Sequence, residues 1–389
     1  MKILFLTGRI GRRNGWEKYS LDLISSLRAK DIESTVIVAG VNEEIIGLDQ
    51  HPVLPPTFST KRICFGAYLY ARRIAHFVRS SGDLPDIIHC MEEPYAPIAR
   101  LLARKLGRPY VVTAHGSFAV RPFSSPVYGL FQRKAYDQAA CIVAVSHYTE
   151  WRLKEYTNSD VLLTVINNGV NVQVATAITA KSLESVPSAR GKEQLILSVG
   201  ACKERKGQIY VVMALPEILK RVPGTRYVIV GDQTDSAYLA KLRECVRSNG
   251  LEDVVEFKHG LTDSELSDLY GRAKVFVLTP VSTPFNFEGF GLVYLEANLR
   301  GVPSVGSYGN GGEDAIKSGE TGFLTNPADP VDIADKIICI LSMPDGEYER
   351  MSIQAKIWAG SMSWSAMADK YLAMYHDVSS GRKVTHHND

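Results

Sequence analysis

Two carboxylates stand eight residues apart in the segment Asn286-Phe287-Glu288-Gly289-Phe290-Gly291-Leu292-Val293-Tyr294-Leu295-Glu296-Ala297. Glu288 lies on a glycine-containing loop that leads into a helical pattern. Backbone N–H groups at a helix start lack intrahelical partners and attract phosphate, and glycine lets a ligand approach the chain closely. One carboxylate at 288 could grip sugar hydroxyls. A second at 296, a little over two helical turns on, would point the same way and could hold a ribose diol. The competing reading is a Gly-rich turn with one capping and one solvated Glu.

A second segment, Val199-Gly200-Ala201-Cys202-Lys203-Glu204-Arg205-Lys206-Gly207, reads as a strand end, a basic turn and a helix start. Arg205 and Lys206 could neutralise a diphosphate that gains charge as its bond to a sugar breaks; a solvated basic turn has the same composition. Asn14-Gly15-Trp16-Glu17 follows a strand and opens a helix, where backbone amides meet anions, but it is not a G-x-G-x-x-G motif. His115, in Val111-Val112-Thr113-Ala114-His115-Gly116, falls just past a buried strand. A histidine there faces the carboxyl end of a sheet, where α/β proteins bind ligands.

Positioning these groups requires a regular scaffold. Continuous apolar runs predict strands at 3–7, 35–38, 87–89, 110–113 and 141–145, then at 195–199, 227–230, 254–258, 275–278, 303–305 and 322–324. Such runs suit parallel strands covered on both faces. Helical patterns lie between them at 18–30, 63–78, 96–106, 237–249, 264–270 and 292–300. The βαβα order predicts α/β architecture with doubly wound sheets. The pattern fades over 171–192, and a new strand opens at Leu195. The expected organisation is an N-terminal Rossmann-like domain over 1–188, a second over 189–362, and an amphipathic C-terminal helix over 363–380.

With 389 residues, 45% hydrophobic and 22% charged, the chain is long enough for two or three cores and is neither disordered nor a disulfide scaffold. Six cysteines without a C-x-x-C pair predict free thiols. The N-terminus lacks the longer apolar core and cleavage site of a signal peptide, and no window is apolar enough to span a bilayer. The expected location is cytoplasmic, with peripheral attachment to the inner face of the cell membrane as an option. Net charge is +2, which gives no footprint for nucleic acid. It hides an asymmetry, since residues 1–175 carry 21 Lys and Arg against 15 Asp and Glu.

Taken in order, the motifs resemble the retaining glycosyltransferases of family 4, which have the GT-B fold. The resemblance covers nearly the whole chain. It runs through the Asn14-Gly15 loop, Asp86-Ile87-Ile88-His89, Thr113-Ala114-His115-Gly116, Ala144-Val145-Ser146 and Ile166-Asn167-Asn168-Gly169-Val170. It continues through Arg205-Lys206-Gly207, Val230-Gly231-Asp232, Glu288…Glu296 and Gly311-Gly312-Glu313…Gly319-Glu320-Thr321-Gly322. It implies two Rossmann-like domains facing each other across a cleft, with the C-terminal helix crossing back to the N-terminal domain. It also implies that Arg205 and Lys206 bind the donor diphosphate, approached by the Gly15 amide. Glu288 would hold the transferred sugar's hydroxyls, aided by the amides of Phe290, Gly291 and Leu292, while Glu296 holds the ribose and His115 sits beside the reacting bond. The family works by a proposed front-face displacement in which the leaving phosphate takes the acceptor's proton. No D-x-D pair occurs, in keeping with an expected metal-free reaction without cofactors. Two departures stand out: Asn14 where the family has Gly, and Ala201 where it often has Arg.

Within the family, the Glu288–Ala297 run and the Arg-Lys-Gly-Gln turn are most similar to mannosyltransferases that use GDP-mannose. UDP-glucose, UDP-galactose and UDP-N-acetylglucosamine enzymes share most of these residues, and a sugar-nucleotide epimerase shares the fold. The expected acceptor is a glycan or lipid-linked molecule bound by the more basic N-terminal half, in cell-surface polysaccharide, lipopolysaccharide or glycolipid synthesis. There Lys61, Arg62, Arg72, Arg73 and Arg79 lie on one helix. Its stripe of Ile63, Ala67, Tyr70, Ile74 and Phe77 is expected to face the core, leaving Arg62, Arg72 and Arg79 with Phe65 and Leu69 for solvent or an anionic membrane.

Overall fold

The computed structural model describes residues 1–12, 15–41, 48–171 and 192–381. They form two compact units, Met1–Gly169 with Trp364–Asp389, and Val170–Ser363. The junction expected at 188/189 and the departure at Asn14 lie outside the described residues.

The first unit is built on seven strands: β1 (Lys2–Leu6), β2 (Glu33–Val38), β3 (Gln50–Pro52), β4 (Ile87–Cys90), β5 (Tyr110–Ala114), β6 (Cys141–Ala144) and β7 (Leu163–Val165). All neighbours are parallel, in the order β3-β2-β1-β4-β5-β6-β7. The alternation of the strand pleat divides the core in two. Leu4 and Leu6 pack toward α2 (Thr60–Ser80), α3 (Ala96–Leu106) and the end of α5 (Pro126–Tyr136). Ile3 and Phe5 pack toward α1 (Gly15–Arg28) and the C-terminal helix. Two shorter helices, α4 (Ser117–Val120) and α6 (His147–Lys154), follow β5 and β6.

On α2 the expected stripe is the inner face. Ile63, Ala67 and Ile74 are buried, and Tyr70 and Phe77 pack against the same core. Phe65, Tyr68 and Leu69 are exposed.

The second unit carries α7 (Gln208–Arg221), α8 (Ser236–Ser248), α9 (Asp263–Arg272), α10 (Leu292–Leu299), α11 (Pro330–Leu341) and α12 (Asp345–Ser361). Its sheet has six parallel strands: β8 (Leu195–Val199), β9 (Arg226–Val230), β10 (Val255–Lys258), β11 (Val275–Val277), β12 (Ser304–Ser307) and β13 (Gly322–Thr325). Their order is β10-β9-β8-β11-β12-β13. Both sheets therefore reverse strand order once, between β1 and β4 and between β8 and β11. In doubly wound folds the loops beyond the carboxyl ends of that strand pair open a crevice for ligand. Here those loops hold Gly15 in the first unit, and Arg205, Lys206 and Glu288 in the second.

The C-terminal helix, α13 (Trp364–Ser380), belongs to the first unit although it follows the second in sequence. It is fastened by buried polar groups as well as by apolar packing. Tyr371 and Tyr19 share a hydroxyl hydrogen bond of 2.7 Å, and Tyr19 reaches Thr113 at 3.1 Å. His89, on β4, bonds Tyr375 through Nδ1 at 2.6 Å and Thr113 through Nε2 at 2.8 Å. Burial, with His115 nearby, pushes the His89 imidazole down to about 3, so the ring is neutral and needs both partners.

Candidate functional site

The basic turn is shaped by what glycine alone permits. After β8 the chain makes a single 3-10 turn over Glu204–Lys206 and enters α7 through Gly207, whose φ is +74°. A Cβ at Gly207 would lie 2.0 Å from the carbonyl oxygen of Thr279. That close approach seats the turn against the chain leaving β11. There the Val281 amide donates to the Arg205 carbonyl at 2.9 Å. The loop after β11 then carries Glu288, whose own carbonyl accepts from the Gly311 amide at 2.8 Å.

These restraints gather three of the expected residues at one point. Glu288 Oε2 accepts from Arg205 Nη1 at 2.7 Å and from Lys206 Nζ at 2.6 Å. Burial alone would raise the Glu288 carboxyl, but the two cations outweigh it and hold it down to about 2. Lys206 is lowered from its ordinary value, first by burial and further by the Arg205 charge, against the opposing pull of Glu288. Both directions follow from a sheltered cluster of two cations on one carboxylate, with one positive charge in excess. Ala201, at the position where a further Arg was expected, offers only its backbone, and its carbonyl accepts from Gln208 Nε2 at 3.1 Å.

Helix α10 begins directly after this loop. Gly291 is its N-cap in the left-handed region, φ 82°, and has no side chain with which to cap the first turn. Phe290 is buried beside it, as is Phe287. Leu292 is the first helical residue, so the amides of Phe290, Gly291 and Leu292 lie at the helix entrance. Glu296 is half-buried on α10, and its Oε2 accepts from the Tyr270 hydroxyl at 3.4 Å. The helical-spacing expectation needs correction. Glu288 lies four residues before the helix and Gly291 breaks the helical path between the two carboxylates, so the two-turn spacing does not relate them.

In the first unit, Gly15 opens α1 and is exposed. A Cβ there would meet nothing within 4 Å, so packing does not demand glycine. His115 follows β5. Its Nε2 lies 2.7 Å from the Met91 carbonyl, which can only accept, so Nε2 carries the proton. Burial pushes the ring down to about 4, with the Met91 bond opposing. The neutral ring is left with its lone pair on Nδ1.

Sequence reading passed over two further acidic residues, Glu92 and Glu93. Glu92 accepts from Gly8 N at 2.8 Å and from Thr7 Oγ1 and Thr57 Oγ1 at 2.9 Å each, tying the end of β1 to the entry of α2. Glu93 Oε1 accepts from the His115 amide at 3.1 Å, whereas its buried Oε2 has no hydrogen-bond partner among the described residues. Burial pushes Glu93 up to about 8. The available signal was two adjacent Glu just past a buried strand, where solvated residues would be unusual company. Among the described residues no group of three or more His, Cys, Asp or Glu is arranged to hold a metal ion.

Comparison with known proteins agrees with this architecture. Residues 13–174 match the model of Glycosyltransferase Family 4, and residues 181–358 match that of Glycosyl transferases group 1. The GDP-mannose-dependent alpha-(1-6)-phosphatidylinositol monomannoside mannosyltransferase of Mycolicibacterium smegmatis is 28% identical over 270 residues, 68% of this chain and 69% of the relative. The D-inositol 3-phosphate glycosyltransferase of Corynebacterium diphtheriae is 26% identical over 324 residues, 79% of this chain and 74% of the relative. Among solved structures, Anabaena Alr3699/HepE in complex with UDP and glucose superposes with a TM-score of 0.73 at 18% identity, covering 97% of this chain and 99% of that one. Sucrose-phosphate synthase from Thermosynechococcus elongatus gives 0.77 at 18% identity, covering 98% and 99%. The chain belongs to the family 4 glycosyltransferases and has the two-domain, Rossmann-like GT-B fold.

Proposed function

We propose that the protein transfers a hexose, mannose before others, from a nucleoside-diphosphate sugar to a glycan or lipid-linked acceptor with retention of anomeric configuration and without a metal. The observation that carries this reading is the convergence of Arg205 and Lys206 on Glu288 ahead of the α10 entrance. When the donor binds, the two cations turn to its diphosphate, and the excess positive charge stabilises the leaving group as the anomeric C–O bond breaks. Glu288, already ionised, holds sugar hydroxyls, with the amides of Phe290, Gly291 and Leu292 alongside. Glu296 takes the ribose, and the Gly15 amide approaches the diphosphate. His115, neutral and with Nδ1 as an acceptor, receives a hydrogen bond from a sugar hydroxyl. The acceptor oxygen attacks the face the diphosphate leaves, and the departing phosphate oxygen takes its proton.

Mannose and GDP are favoured by the relative named for GDP-mannose, and lipid-linked acceptors by its phosphatidylinositol-based acceptor. A UDP-hexose donor is the second reading, favoured by the neighbour solved with UDP and glucose. Work on a lipid-linked acceptor would bring the protein to the cytoplasmic face of a membrane. Helix α2 suits that role, with exposed Phe65, Tyr68 and Leu69 beside Arg62 and Arg72. No described helix is long and apolar enough to cross a bilayer. Co-sedimentation with anionic vesicles at low salt, released at high salt, checks the docking.

A thermal-shift comparison of GDP and UDP tests the donor. A ligand at a hundredfold excess over its Kd adds about 2.7 kcal/mol to apparent stability. Stabilisation by GDP alone supports the first reading, stabilisation by UDP alone the second, and stabilisation by neither overturns both. Transfer that persists in EDTA supports the metal-free chemistry.

A further inference from the structure

The hydrogen bond from His115 Nε2 to the Met91 carbonyl, at 2.7 Å, fixes one atom of the imidazole. A single bond leaves the plane of the ring, and with it the direction of the Nδ1 lone pair, free to turn about the side-chain torsions. A second group has to flank the ring. Tyr19, on α1, does so. Its ring stands 4.4 Å from the His115 ring with the planes 83° apart, the edge-to-face arrangement that aromatic quadrupoles favour. Trp16 is farther, at 6.0 Å and 45°.

Tyr19 is itself held at two places. Its hydroxyl is shared with Tyr371 on α13 and with Thr113, two residues before His115 at the end of β5. Its ring meets that of Trp364, the first residue of α13, at 5.4 Å and 66°. Trp364 is also where the chain returns to the first unit. The Gly169 backbone lies so close to it that a Cβ at 169 would fall 2.6 Å from the Trp364 Cα. Tyr19, Trp364 and Tyr371 are all buried, so water does not compete for these contacts. We infer that Tyr19 is a positioning residue for the reaction: it sets the plane of the His115 ring, and α13 holds Tyr19 in place through Trp364 and Tyr371. The effect on turnover rests on the glycosyltransferase reading, in which His115 Nδ1 accepts from a sugar hydroxyl. The fixed ring stands on these contacts alone.

The test uses the full chain labelled with 15N-histidine, with the His115 signals assigned from a His115→Gln protein. The unaltered protein should show one sharp pair of ring nitrogen signals, with the proton on Nε2. Tyr19→Met fills the volume without a ring and should average that pair, as the imidazole samples both tautomers. Tyr19→Phe keeps the ring and should keep the pair. Release of nucleoside diphosphate from GDP-mannose and from UDP-glucose then gives kcat and the donor KM. Misplacing a group by about 1 Å can cost about 10² in rate, so Tyr19→Met should lose about ten- to hundredfold in kcat with KM within about threefold. Tyr19→Phe should stay within about threefold of the unaltered protein in both constants. Tyr375→Phe, whose lost hydroxyl bonds His89 rather than Tyr19, should lose stability and keep kcat, which separates positioning from a general loosening of α13. An unmoved nitrogen pair or an unchanged kcat in Tyr19→Met overturns the inference. Should that variant fail to fold, the unaltered protein still decides, because an averaged pair there overturns it equally. No release from either donor by the unaltered protein counts instead against the glycosyltransferase reading, and the nitrogen signals still decide this one.

Discussion

Lys206 Nζ lies 2.6 Å from Glu288 Oε2, the same oxygen that Arg205 reaches at 2.7 Å. One carboxylate therefore answers two cations, and the cluster keeps one positive charge in excess. On the proposed reading, residues that pair in this way hold the geometry for an incoming diphosphate before it arrives.

Removing one cation is the direct test. Lys206→Ala should abolish measurable transfer and shrink the thermal shift by nucleoside diphosphate, with the circular dichroism spectrum unchanged. Losing one preorganised charge costs about 10²–10³ in turnover at comparable sites. Arg205→Ala should act in the same direction. Wild-type turnover in the Lys206 variant would remove the cluster from the reaction.

Gly207 decides whether the cluster forms at all. Alanine at φ +74° would bring its Cβ to 2.0 Å from the Thr279 carbonyl, a backbone atom with no rotamer in which to escape. Gly207→Ala should lose nucleotide binding together with stability, by about 1–3 kcal/mol or more in chemical denaturation. At Gly15 a Cβ meets nothing, so Gly15→Ala should leave stability nearly unchanged, and any loss of activity reports on ligand contact.

The pH dependence of stability has opposing arms. His89 and His115 are pushed down to about 3 and about 4 from an ordinary 6.5. Their contribution is present above 6.5 and lost as pH falls toward those values. Glu288, held at about 2, adds a contribution that is present above 4.5 and lost on further acidification. Glu93 works the other way. Raised from 4.5 to about 8, it contributes stability that is full below 4.5 and lost as pH rises through 8. Glu93→Gln, whose amide oxygen can still accept the His115 N–H, should lose less stability than the parent between pH 5 and 8. Parallel denaturation profiles for the two proteins would contradict the buried, protonated carboxyl.

Much of this was legible because buried parallel strands leave continuous apolar runs. Leu195–Val199 and Cys141–Val145 announce themselves, and the observed β8 and β6 agree to within a residue. Edge strands β3 and β7 have no such signal: Gln50-His51-Pro52 is polar and three residues long. Helices α7, α11 and α12 escaped for different reasons. Pro216 lies inside α7, and α11 and α12 follow one another with only a short break. The site divided similarly. Arg205, Lys206 and Glu288 could be named individually from their motifs, but their meeting depends on Gly207 against Thr279, a contact between segments about seventy residues apart. Glu93 left only the weak signal of two adjacent Glu past a buried strand, because its partners come from segments far along the chain: the His115 amide after β5, and Gln132 on α5, which donates to the Glu93 carbonyl.

The attachment of α13 gives a prediction with an internal control. His89 is neutral and fully buried, with Tyr375 on Nδ1 and Thr113 on Nε2. Tyr375→Phe removes one partner and leaves a buried ring nitrogen bare, which costs about 1–3 kcal/mol. Tyr371→Phe removes the hydroxyl that bonds Tyr19, yet Tyr19 keeps Thr113 at 3.1 Å, so the loss should be smaller, about 0.5–1.5 kcal/mol. Urea denaturation followed by near-ultraviolet dichroism separates the two variants. The Tyr375 variant should unfold first, and pairing it with His89→Phe should restore part of the loss, because two apolar rings leave no polar atom unsatisfied. Equal costs for the two tyrosines would mean that α13 is held by apolar packing alone and that the histidine network contributes nothing to joining the chain's last helix to its first sheet.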